Sequence, residues 1–344
     1  MRQTKVKVEE AVGMVLAHDI TEIRRGEFKG AAFKKGHKVR KADICHLHRL
    51  GKNHLYVLRI EEGYLHENDA AVALADALCG DGVIWRDEPR EGKISPLAAQ
   101  DGLFKVDVEA QTRINTLGDV MCASWHTNFL VKHGVVVAAA RAIPLVIRSE
   151  IIDEAIGISR THDGILSVKP LRKARSGIII TGNEVYSRLI EDQFEPILRS
   201  KMTQIGSEVL GVVFTPDDAE HIEREIRNLL CNGADLLLVT GGMSVNPDDV
   251  TRQAIAQAGA KELLYGAPVL PGAMFMISFI GDVPILGIPA CGLYHETTVF
   301  DLVLPRVLSG ERLTRKDIAE LGHGGLCLHC SECRYPVCPF GKGH

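Results

Sequence analysis

No apolar run in this 344-residue chain approaches the roughly 18–20 residues that a membrane-spanning helix needs. The N-terminus, MRQTKVKVEEAVGMVLAHDI, offers neither an uninterrupted apolar stretch nor a small-residue cleavage site, so no secretory signal is read there. Basic excess is missing too. Lys and Arg total 40 against 44 Asp and Glu, for a formal net charge of −4, which sets nucleic acid aside as a partner. Internal repeats and low-complexity linkers are absent, as are the Walker loop and the G-x-G-x-x-G fingerprint. These absences leave a cytosolic globular protein of about two or three domains. Its nine cysteines then read as reduced thiols or metal ligands rather than disulfides.

What is present changes along the chain. Residues 1–60 carry short alternating runs and glycines at turn spacing, a β-rich region in which RKADICHLHRLG reads as a short helix closed by Gly51. Residues 61–170 read as a mixed α/β middle domain. Within it Asn68 and Asp69 are placed to cap the helix AAVALADALCG, Leu103 to Val108 alternate like a strand, and Ser149 can cap EIIDEAIGIS. From 171 to 310 the rhythm becomes strand–helix–strand–helix. The strands are apolar on both faces, which predicts a mostly parallel sheet covered by helices, an α/β domain of three layers. RLIEDQFEPILRSKMTQIG is read as one helix with Pro196 as a kink, and MFMISFIGDVPILGIP as a hairpin about Gly281-Asp282. Residues 311–344 form a short Cys-rich tail.

In open α/β sheets ligands bind beyond the carboxyl ends of the strands, and four such ends here carry unusual chemistry. They are Thr181-Gly182-Asn183-Glu184, Thr215-Pro216-Asp217-Asp218, Thr240-Gly241-Gly242-Met243-Ser244 followed by Asp248 and Asp249, and Ile288-Pro289-Ala290-Cys291-Gly292. Gly241 and Gly242 let backbone approach a ligand and turn amides toward it. The helix that follows offers free N–H groups suited to phosphate. Asp217 and Asp249 are suited instead to a hard cation such as Mg²⁺ bridging to phosphate oxygens. The competing reading for each Asp or Thr taken singly is an ordinary helix cap.

The ordered motifs ITGNEV, VFTPDD, ADLLLVTGGMSVNPDDV, LPGAMFM, PILGIPACG and LPRVLSG resemble the molybdopterin-binding domain of molybdenum cofactor biosynthesis proteins, and most of all the molybdopterin molybdenumtransferase family. The resemblance implies a protein of molybdenum cofactor biosynthesis that binds molybdopterin or adenylylated molybdopterin. It also implies Mg²⁺ and molybdate, cleavage of the adenylate with molybdenum insertion, and a homodimer. Carried over by position, Thr240, Gly241, Gly242 and Ser244 line the pterin or phosphate site, with Thr181, Gly182, Asn183, Pro271, Gly272, Pro289 and Gly292 on the same motifs. Asp217 and Asp249, with Asp248, take the catalytic and metal-holding roles, and Glu184 is a further polar contact. The departures are Asn183 for an aspartate, Asn246-Pro247 after Ser244-Val245, Ala273-Met274 where the family has lysine and proline, and Cys291 in the last turn. Cys291 is either a thiol for molybdenum or sulfur, or a small buried cysteine. The family's C-terminal barrel is not read in the tail. Two other classes stay open: a carrier that hands finished cofactor to a molybdoenzyme, and a Mg²⁺-dependent nucleotide pyrophosphatase.

The tail GLCLHCSECRYPVCPFGKGH places Cys327, Cys330, Cys333 and Cys338 in a C-x2-C-x2-C-x4-C-Pro run. That is one residue longer in its last spacer than the ferredoxin run. It leans toward a [4Fe–4S] cluster, with a tetrahedral Zn²⁺ site as the alternative.

Overall fold

The computed structural model describes residues 3–24, 28–58, 60–161, 163–243 and 250–343. The chain forms two compact units, one of residues 1–99, 106–125 and 134–167, the other of 100–105, 126–133 and 168–344.

The first unit begins with an antiparallel sheet in which His54–Leu58 lies between Gln3–Lys7 and Val15–Leu16. A hairpin pairs Ile20–Arg24 with Phe28–Phe33. Val8, Leu16, Leu47, Leu55 and Val57 fill the small core between these strands and the helix Ile44–Arg49. Gly51, at φ +72°, follows that helix as expected.

Three local expectations in this unit are corrected. The helix Glu67–Leu78 is capped by His66, whose ring accepts the Asn68 N–H at 3.2 Å, and not by Asn68 or Asp69. The helix Ser149–Arg160 includes Ser149 itself, one residue past its cap Arg148. The alternation around Lys105–Val108 ends early. Asp107 accepts the Ala110 N–H at 2.8 Å and starts a helix, Val108–Asn115.

His66 is fully buried. Its Nε2 lies 2.7 Å from the Gly36 carbonyl while Nδ1 accepts from Asn68, so the ring is neutral with its proton on Nε2. Burial pulls its pKa below the usual 6.5. The unfolded state therefore binds the extra proton first, and stability is lost as pH falls below about 6.5. Thermal melts of the full chain should drop between about pH 7 and about pH 5, and His66→Gln should flatten that drop. An identical pH dependence in the variant would show that this ring contributes none of it.

The second unit is built on a six-stranded sheet. Its elements are β1 (Arg175–Thr181), α1 (Asn183–Tyr186), α2 (Phe194–Gln204), β2 (Glu208–Thr215), α3 (Ala219–Cys231), β3 (Leu236–Thr240), α4 (Thr251–Gln257), β4 (Lys261–Tyr265), β5 (Met276–Ile280), β6 (Val283–Ile288), α5 (Val299–Leu308) and α6 (Arg315–Glu320). The strand order is β2-β1-β3-β6-β5-β4. The first four run parallel, and β5 and β4 are antiparallel additions at one edge. The β5–β6 hairpin turns at Gly281-Asp282, with Ile280 opposite Val283.

Period-two alternation explains the two-faced burial. Ile178, Ile180, Leu236, Leu238, Leu286 and Ile288 point into a core shared with Leu198 of α2 and Val303 of α5. Ile179, Leu237, Val239 and Ile285 point into the opposite core, with Ile222 and Ile226 of α3 and Ile255 of α4. Each such side chain contributes about 1.5–3 kcal/mol on full burial. A parallel sheet is stable only with both faces so covered. The α/β expectation, with a mostly parallel sheet between helical layers, is thus the observed architecture.

The expected kink at Pro196 is absent. α2 starts only at Phe194, where Asp192 accepts the N–H groups of Phe194 and Glu195 at 3.1 and 2.7 Å. Pro196 therefore falls in the first turn, where its missing N–H costs no intrahelical bond. Beyond α5 the chain packs back on the sheet unit, burying Leu313, Ile318, Leu321 and Phe340 in the first of the two cores. Among the described residues no helix is long and apolar enough to cross a membrane.

Candidate functional site

Parallel pairing sets the four decorated strand ends side by side. Thr181 lies opposite Thr215, Ile180 opposite Thr240, and Thr240 opposite Ile288. The loops leaving these ends are tied together. Gly182 donates its N–H to the Thr215 carbonyl at 3.2 Å. The Asn183 N–H donates to Asp217 Oδ2 at 3.1 Å, and the Asp217 N–H donates back to Asn183 Oδ1 at 3.2 Å. This reciprocal clasp fixes the first two loops against each other.

The next loop turns at two left-handed glycines, Gly241 at φ +81° and Gly242 at φ +56°. A Cβ on Gly241 would stand 2.4 Å from the Thr181 carbonyl oxygen, and one on Gly242 would stand 2.2 Å from Thr251 Oγ1. Only glycine fits either place: a neighbouring strand end closes on Gly241, and the Thr251 side chain at the start of α4 closes on Gly242. Thr181 and Thr251 hydroxyls lie 3.4 Å apart beneath this turn. Ser244, Asp248 and Asp249 lie outside the described residues, so the expected pairing of Asp217 with Asp249 has no geometry.

The remaining candidates sort by exposure. Thr181, Thr240, Pro271, Gly272 and Pro289 are buried, and support the rim from below. Gly182, Asp217, Gly241, Gly242, Cys291 and Gly292 are half-buried, and Asn183 and Glu184 are exposed. Among the described residues the buried hydroxyls of Thr215 and Thr240 have no hydrogen-bond partner, a cost of about 1–3 kcal/mol each where none is made. Gly272 packs on the first turn of α5, where a Cβ would meet Val299 Cγ1 at 2.4 Å. Asp218 is a helix cap: its carboxylate accepts the His221 N–H at 2.9 Å and meets the ring at 2.7 Å. The His221 ring and N–H hold that carboxyl below the usual range. Burial raises the Cys291 thiol pKa, which favours the protonated thiol over the thiolate that metal or sulfur chemistry needs.

One residue escaped the sequence reading. Arg252, in the first turn of α4, stacks its guanidinium 4.3 Å over the Tyr265 ring. The Tyr265 hydroxyl in turn donates to the Met243 carbonyl at 2.5 Å, beside the glycine pair. Among the described residues the buried Arg252 Nε has no hydrogen-bond partner. An aromatic-backed guanidinium next to a glycine turn can receive an anion. An arginine just after the aspartates of the Thr-Gly-Gly block was the available signal.

Of the ligands a hard cation would need, the described rim supplies one. Among the described residues Asp217 keeps its second carboxylate oxygen without a partner, and Mg²⁺ characteristically takes one or two carboxylates plus water. No group of three or more described His, Cys, Asp or Glu side chains is arranged to hold a metal. A cavity of about 810 Å³ lies to one side, between α2 and α5, and of the rim residues only Gly292 lines it. Its polar wall is internally paired, Lys201 with Asp301 and Arg306 with Glu311 and Asp317. The strand ends, and not this cavity, concentrate the features expected of a ligand site.

The comparisons bear on the same stretch. Residues 177–308 match the family model described as "Probable molybdopterin binding domain", and residues 5–59 match a model for a domain of unknown function. The resemblance to a molybdopterin-binding domain is thereby shown for residues 177–308. A "CinA-like protein" of Mycolicibacterium vanbaalenii is 32% identical over 96 residues, 28% of this chain and 23% of that protein. One of Thermosipho melanesiensis is 37% identical over 91 residues, 26% of this chain and 22% of that protein. The chain thus spans less than a quarter of the curated relatives it matches. Among solved structures, the molybdopterin biosynthesis enzyme MoaB of Thermus thermophilus is 21% identical, covering 40% of this chain and 98% of that one, at a TM-score of 0.35. At that score the likeness adds nothing to the sheet order itself.

Proposed function

We propose that this chain, which carries a domain of the probable molybdopterin-binding family, binds molybdopterin or its adenylate at the rim of its parallel sheet and acts in molybdenum cofactor biosynthesis or maturation. The observation that carries the reading is the glycine pair Gly241-Gly242, pressed against Thr181 and Thr251 respectively, among four adjacent strand ends inside the matched domain. Backbone this close to a pocket floor leaves room for a flat pterin and its phosphate.

In this reading Gly182, Asn183, Glu184, Gly241, Gly242, Ser244 and Gly292 surround the ligand, and Arg252 receives its negative charge. Asp217, with Asp248 and Asp249, would hold Mg²⁺, which would supply polarisation of a phosphoryl oxygen. The Asn183–Asp217 clasp keeps the Asp217 carboxylate aimed before any ligand arrives, so its placement costs little on binding. The wider assignment has residues 1–60, 61–170, 171–310 and 311–344 as separate functional regions in a cytoplasmic homodimer with molybdate as co-substrate.

The clasp also favours a second reading. If Asp217 only ties two loops together, the chain is a carrier of finished cofactor for a molybdoenzyme. Incubation with adenylylated molybdopterin, Mg²⁺ and molybdate separates the two. Molybdate-dependent release of AMP is expected, and tight binding without release would establish the carrier instead.

A further inference from the structure

The C-terminal cysteines enclose a second place for chemistry, independent of the pterin reading. Cys327, Cys330, Cys333 and Cys338 all line one cavity of about 280 Å³, whose facing wall is Tyr294–Thr297. The tail is anchored there. Cys327 donates its N–H to the Leu270 carbonyl at 2.8 Å, Phe340 is buried in the core, and Cys327 and Cys338 pack against it. Cys330 and Cys333 are exposed at the other side.

One hydrogen bond already points at sulfur, and a second joins sulfur to a hydroxyl. The His329 N–H donates to Cys327 Sγ at 3.4 Å. His329 has φ +52°, an uncommon turn for a non-glycine residue, and it sits in the spacer between two of the cysteines. The Thr297 hydroxyl lies 3.4 Å from Cys333 Sγ, on the opposite wall. Donors on sulfur stabilise thiolate ligands and tune the potential of a cluster they hold.

The size and spread of the thiols discriminate between metals. A tetrahedral zinc site draws four sulfurs to about 2.3 Å from one centre. The cavity of about 280 Å³ is much more than a single ion fills. A cubane brings its own iron and sulfide between the thiolates and needs ligands set apart around such a volume. We propose that this cavity binds a [4Fe–4S] cluster through Cys327, Cys330, Cys333 and Cys338. Its wall begins immediately beyond the sheet rim, since Tyr294 and His295 both donate their N–H groups to the Cys291 carbonyl at 3.1 Å.

The full chain, purified without oxygen and then reconstituted with ferrous iron and sulfide, tests this. About four iron and four sulfide per chain are expected, with broad visible absorption that dithionite bleaches. The double variant Cys330→Ala/Cys333→Ala removes two exposed ligands and should lose the iron while keeping the wild-type circular dichroism. About one zinc per chain as isolated with no sulfide taken up, no metal after reconstitution, or full cluster content in the double variant would each overturn the proposal.

Discussion

Gly241→Ala is expected to abolish molybdopterin binding and to lower stability by roughly 2–5 kcal/mol. Two costs combine in that figure. A left-handed φ is worth roughly 1–2 kcal/mol against a residue with a side chain, and forcing a methyl into a packed place adds about 1–3 kcal/mol. The methyl would meet the Thr181 carbonyl oxygen at 2.4 Å and its hydroxyl at 2.5 Å, and a backbone carbonyl in a central strand cannot step aside. Gly206→Ala is the control. Gly206 has almost the same φ, +78°, yet nothing stands within 4 Å of a Cβ there. It should lose only the roughly 1–2 kcal/mol of strain and keep binding intact. Chemical denaturation of both variants, read beside ligand titration, separates strain from the closing of the rim. Equal losses in the two variants would mean that the close approach at Gly241 contributes nothing.

The second large effect belongs to Asp217. Asp217→Asn retains an amide oxygen that can accept the Asn183 N–H, so the clasp survives and stability should change by about 0.5 kcal/mol or less. It removes the negative charge that a divalent cation needs. Mg²⁺-dependent release of AMP should therefore fall by roughly 100-fold, equivalent to about 2.7 kcal/mol of barrier. Asp217→Ala removes the charge together with the carboxylate half of the clasp, leaving the Asp217 N–H on Asn183 Oδ1, and should show both a loss of turnover and a loss of stability. Full turnover in Asp217→Asn would reduce this residue to a loop tie and overturn its metal-holding role.

The sheet was legible because its evidence is local. Ile178 to Ile180 and Leu236 to Val239 are apolar at every position, and only a strand buried on both faces requires that. The glycine pair was legible for a similar reason: a strand followed by Gly-Gly has few uses other than a close turn. Caps were harder. His66 closes a helix end with a ring nitrogen, a role normally given to Ser, Thr, Asp or Asn, so the sequence pointed to Asn68 and Asp69. Pro196 looked like an interruption because the helix start at Asp192 could not be placed from RLIEDQF alone.

Long-range features were not legible at all. The Asn183–Asp217 clasp joins residues 34 positions apart, and the stacking of Arg252 on Tyr265 depends on an antiparallel edge strand. The burial of Phe340 shows the same limit, since a Cys-rich tail gives no local sign that its end packs into the core of another element. At the rim, the motif order named the residues and the sheet register brought their strand ends together, but which carboxylate only caps a helix became clear at Asp218 alone.

The central claim is that the rim around Gly241 receives a pterin. Equilibrium binding of molybdopterin to the full chain, followed by retention of the fluorescent oxidised pterin on ultrafiltration, tests it most directly. About one pterin per chain, displaced from Gly241→Ala but kept by Gly206→Ala, is the predicted result. Retention that is absent in the parent chain, or unchanged by Gly241→Ala, would contradict it.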